Sequence, residues 1–84
     1  MVVIHRAFGF RIVIYTSDHE PAHVHVTGPG QAKVDLIGPD GRPRLVWVVG
    51  IKRGDMARLM SEIDDRRSEF LSAWERIHGR IDRS

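Results

Sequence analysis

The six residues Ala22-His23-Val24-His25-Val26-Thr27 decide the reading of this chain. Apolar and polar side chains alternate along them, which marks a strand with one buried face. Val24 and Val26 share one face; His23, His25 and Thr27 share the other. With the valines in the core, both imidazoles turn to an open surface.

The neighbouring segments extend the same pattern outward. Residues 11–15, RIVIY, form a strand by β-branched content, and Val2–Ile4 reads as a short extra strand or arm ended by Gly9. Thr16–Pro21 is a turn, because Ser17 and Asp18 favour one and Pro21 holds Glu20 extended. Gly28-Pro29-Gly30 turns the chain into a third strand over about 32–37, and Gly38-Pro39-Asp40-Gly41 closes a hairpin to a fourth over about 45–49. Lys33 and Asp35 fall in phase with the histidines. Arg11, Val13 and Tyr15 join them when Ile12 and Ile14 point inward.

Beyond Gly50 the period changes. Met56, Leu59, Met60, Ile63, Phe70, Leu71, Trp74 and Ile77 lie on one helical face, interrupted by the polar run Asp64–Glu69. One helix over about 53–78 would be about 38 Å long, so its second half projects onto a partner or the chain bends near Arg66. Arg66 and Arg67 have Glu62, Asp64 and Glu69 at ion-pairing spacing. The expected fold is α+β: a small antiparallel sheet of three to four strands (about 11–15, 22–27, 32–37 and 45–49) with one long C-terminal helix on one face.

At 84 residues the chain makes a single domain with a thin core, and without cysteine neither disulfides nor thiolate metal sites are available to it. No apolar run approaches the roughly 20 residues of a membrane span. The N-terminus does not read as a signal peptide, so a cytoplasmic protein is expected. Arg supplies eleven of the thirteen Lys and Arg, which suits phosphate or carboxylate recognition and equally suits a GC-rich genome.

Three of the five histidines, His19, His23 and His25, fall within seven residues. Three readings compete. Three imidazoles with Asp18 or Glu20 suit a metal with an open coordination position. Two imidazoles near neutral pKa suit acid–base cleavage of a phosphodiester by a ribose hydroxyl, with Arg11 or Lys33 stabilising the developing charge. Alternatively, the rings are solvated strand side chains and His19 caps the turn on Asp18. His5 and His78 have no such company.

The stretches Gly9–Tyr15, Ser17–Val26, Gln31–Val34 and Leu71–Trp74 together resemble the bacterial family of small proteins called domain of unknown function 4160, and the DHEPxHVHV string carries most of the resemblance. Ala22 stands where that family usually has a second proline, and Pro39–Val48 is longer and more apolar than its usual strand region. The resemblance implies a small cognate protein encoded nearby, an arrangement like a toxin–antitoxin pair, and RNA as a target.

The leading expectation is therefore the toxin side of such a module, acting on RNA through the open sheet face as a metal-independent endoribonuclease. His23 and His25 would be the acid–base pair, His19 with Asp18 the orienter, and Arg11 and Lys33 the phosphate contacts. No cofactor or metal is assigned in this reading. The alternatives are a non-enzymatic regulator binding DNA or a protein, and a His-ligated metal protein. A second copy of the chain is a further candidate partner, and no membrane is expected.

Overall fold

The computed structural model describes residues 1–79. Five strands, β1 (Val2–Ala7), β2 (Phe10–Ile14), β3 (His23–Thr27), β4 (Gln31–Asp35) and β5 (Arg44–Val49), form one antiparallel sheet in chain order. Two helices follow, α1 (Arg53–Asp65) and α2 (Arg67–His78). The α+β class is as expected, but two details differ. The sheet has five strands rather than three or four, and the long helix is divided.

The extra strand comes from the N-terminus. Val2–Ala7 is a full edge strand, joined to β2 by a two-residue turn at Phe8 and Gly9, with φ of 55° and 80°. Positive φ at both central residues gives the turn a twist that matches the flanking strands. Gly9, read from sequence as a break, is the hairpin itself. At the opposite edge, Gly30 lies against the Gly50 backbone so closely that a Cβ there would collide with the Gly50 carbonyl.

Cross-strand register sorts the two faces. On one, Ile12, Ile14, Val24, Val26, Ala32, Val34 and Leu36 pack with Met56, Leu59, Ile63, Phe70, Ala73 and Trp74 of the helices in a single core. On the other, Val3, Val13, His25, Lys33 and Trp47 form one continuous row across all five strands. Register shifts between Val3 and His5 in β1, and opposite Lys33 and Val34 of β4 between Leu45 and Trp47 of β5, keep the edge strands in phase with the centre.

The helix divides at Arg66, whose φ of −108° and ψ of 17° leave the helical region. A straight helix over 53–78 would span about 38 Å, whereas five strands at about 4.8 Å spacing span only about 19 Å between the outer strands. The break lets both Ile63 and Phe70 reach the core, each fully buried. Arg66 closes the joint by bonding Glu62 on one side (2.8 Å) and Glu69 on the other (3.0 Å). Arg67 takes a different partner from the carboxylates its spacing suggested: it donates to the Gly41 carbonyl in the β4–β5 turn. His5, which had no obvious company in the sequence, bonds Glu62 at 2.7 Å and packs on Phe70, tying β1 to both helices. Among the described residues, no helix is long and apolar enough to cross a membrane.

Candidate functional site

The loop between β2 and β3 positions a carboxylate over the two strand histidines. The Asp18 N–H donates to the Tyr15 carbonyl at 3.1 Å, and the Tyr15 N–H donates back to Asp18 Oδ2 at 3.1 Å. This reciprocal pair fixes the side chain as an Asx-type turn does. Asp18 Oδ2 then stands 3.2 Å from His23 Nε2 and 3.8 Å from His25 Nε2.

His23 departs from the expectation of two solvent-facing imidazoles. Its residue is 4% exposed. Alternation does set it in phase with His25, and the two rings are 5.1 Å apart at 75°. But His23 is the first residue of β3, where the loop and helix α2 converge. The Trp74 ring lies 5.2 Å away, and Nδ1 is 2.9 Å from the Pro21 carbonyl. A carbonyl can only accept, so Nδ1 carries the proton and Nε2 faces Asp18. With both nitrogens engaged and the ring enclosed, His23 is not an acid or base open to substrate.

His25 is the accessible member. Its side chain is 18% exposed, beside Tyr15 (4.8 Å, edge-on) and Trp47 (6.4 Å). Burial lowers its pKa. The Asp18 charge opposes that, while His23 and Lys33 push it further down. The ring is consequently biased toward its neutral form, which can accept a proton or donate a lone pair.

The other expected residues divide. Lys33 pairs with His25 across β3–β4 and with Trp47 across β4–β5, so it belongs to the same row. Arg11 lies one row further along, between Arg6 of β1 and Thr27 of β3. His19 is exposed, and among the described residues no hydrogen bond or ion pair joins it to Asp18. Asp18 therefore orients the histidines without His19. Three ring neighbours, Tyr15, Trp47 and Trp74, were not assigned to the site from sequence. Tyr15 was detectable by its phase with Val13. Trp74 was not, because its approach depends on the bend at Arg66.

No curated protein and no solved structure matches this chain. The family model described as Domain of unknown function (DUF4160) matches residues 9–75, a span that contains the Asp18–His23–His25 cluster and Trp74, and the chain belongs to that family.

Proposed function

We propose that this protein binds single-stranded RNA across the open face of its sheet, as the toxin-side component of a two-protein module. One observation carries the RNA reading: His25, Lys33 and Trp47 lie side by side on adjacent strands, with Arg11 and Arg6 paired in the next row. An exposed aromatic beside cations on an open antiparallel sheet is the chemistry that stacks a base and holds its phosphate. Trp47, 39% exposed, is the stacking candidate. The module setting is what the family resemblance implies, and copurification with the neighbouring gene product tests it.

The burial of His23 narrows the catalytic part of the reading. Two-histidine cleavage needs two imidazoles that reach the substrate, and of this pair His23 is enclosed and His25 is the accessible member. In any strand cleavage here, neutral His25 takes the proton of the attacking 2′-hydroxyl as the 2′-oxygen–phosphorus bond forms. The bond to the 5′-oxygen breaks, and water protonates that leaving oxygen.

Fluorescence anisotropy with a labelled RNA oligomer tests the binding. Trp47→Ala should weaken binding by about 1–3 kcal/mol. Lys33→Ala should lower the slope of log affinity against log salt by about 1. Failure to bind single-stranded RNA at low salt removes the reading, and equal or tighter binding of duplex DNA would replace it with a DNA-binding regulator.

A further inference from the structure

We infer that Asp18, His23 and His25 form a binding site for one divalent transition-metal ion, with His23 as an interior ligand and the open coordination positions on the His25 side. Ligand atoms of these three residues lie within 4.8 Å of one another. The two contacts to Asp18 Oδ2 are 3.2 and 3.8 Å. Donors around a tetrahedral ion at bond lengths of about 2.0–2.2 Å stand roughly 3.4 Å apart, so a small inward movement of His25 brings the three together around an ion.

A second observation is independent of these spacings. His23 Nδ1 donates to the Pro21 carbonyl, so on a neutral ring Nε2 presents its lone pair to a carboxylate oxygen. Two lone pairs facing each other in a buried site repel, and a positive species between them removes the conflict. Either a proton on Nε2 or a metal ion can do this. Metal-ligating histidines commonly donate their other ring N–H to a backbone carbonyl in this way, which fixes the tautomer and raises ligand basicity. The Tyr15 N–H does the same for Asp18, holding the carboxylate before any ion arrives.

The donor set defines the class of ion. Two imidazoles and one carboxylate, with no thiolate, suit zinc, iron(II), cobalt(II) or nickel(II) rather than calcium or copper(I). Lys33, paired with His25 across β3–β4, opposes the ion; Asp35, paired with His23 across the same strands, offsets it. The set differs from the three-histidine site that the sequence suggested. Asp18 takes the place of His19, which sits exposed outside the cluster.

The inference is tested apart from the RNA reading, because zinc uptake is measured on the protein alone; an ion on His25 occupies the lone pair that the metal-free cleavage step would use. The metal-stripped protein would be titrated with Zn²⁺ against a chromophoric competitor, and its histidine ring nitrogens followed by ¹H–¹⁵N NMR. One equivalent should bind with a dissociation constant on the order of micromolar or tighter. The Nε2 signals of His23 and His25, but not of His19, should shift on saturation. Asp18→Asn and His25→Ala should each weaken binding by about 100-fold, and His19→Ala should leave it unchanged. The wild-type NMR titration needs no variant to fold, so a destabilised His25→Ala does not blunt the test. Two results would overturn the inference: no saturable uptake at millimolar zinc, which leaves a His23–Asp18 ion pair as the content of the cluster, or uptake that survives His25→Ala or shifts His19.

Discussion

Two histidine neighbourhoods on opposite sides of one sheet follow different rules. At the helix seam, His5 has Glu62 as its carboxylate partner and Phe70 as its packing partner. Glu62 also serves Arg66, so the group sits among complementary charges. At the loop end of β3, a single oxygen of Asp18 faces the Tyr15 N–H and two imidazole nitrogens. The first arrangement fastens a strand to the helices and is complete. The second gathers two imidazole nitrogens on one carboxylate oxygen, with the accessible ring opposite Lys33, which is where binding chemistry is to be sought. A histidine's meaning here is set by how many groups compete for its partner, not by whether a carboxylate is near.

The largest test of this contrast removes the wall between the two sides. Trp74 is 1% exposed and packs both in the core and against His23. Trp74→Ala should cost about 3–5 kcal/mol of stability in urea titrations. It should also expose His23, detectable as faster reaction with diethyl pyrocarbonate under native conditions. Unchanged His23 reactivity in a folded variant would show that the loop alone encloses the ring.

Next comes the asymmetry within the cluster. His23→Ala removes an enclosed ring together with its contacts to the Pro21 carbonyl and Asp18, and should cost about 1–3 kcal/mol. His25→Ala removes a partly exposed ring and should cost less, within about 1 kcal/mol. Equal losses would mean that the two imidazoles have equivalent surroundings, against the geometry described.

The smallest effect belongs to the seam. The Glu62 carboxyl is held below its ordinary value, first by the Arg66 hydrogen bond and then by His5. A depressed carboxyl adds stability above its unfolded pKa and loses that contribution as pH falls through the folded value. Wild type should thus lose more stability than Glu62→Gln between neutral pH and about pH 3. Parallel acid-unfolding curves would show that the seam contributes nothing dependent on charge.

Much of this architecture is local in origin. The pleat forces successive side chains to opposite faces, so the valines and histidines of β3 were separable from six letters. Likewise the spacing of Met56, Leu59, Ile63, Phe70 and Trp74 identified the buried helical stripe, because a 3.6-residue turn repeats along the chain. The common face of His25 and Lys33, and of Val13 once Ile12 and Ile14 point inward, followed from the same alternation. Local pattern thus settles phase: which side chains face together within one element.

Only the tertiary structure decided extent and enclosure. The helix breaks at Arg66 because the sheet is narrower than the unbroken helix is long. The N-terminal segment extends to a six-residue strand because the β2 edge is available to pair with it. His23 is buried because α2, once bent, delivers Trp74 to the end of β3. Each of these depends on the distance between elements far apart in the chain, and periodicity within an element carries no information about that distance.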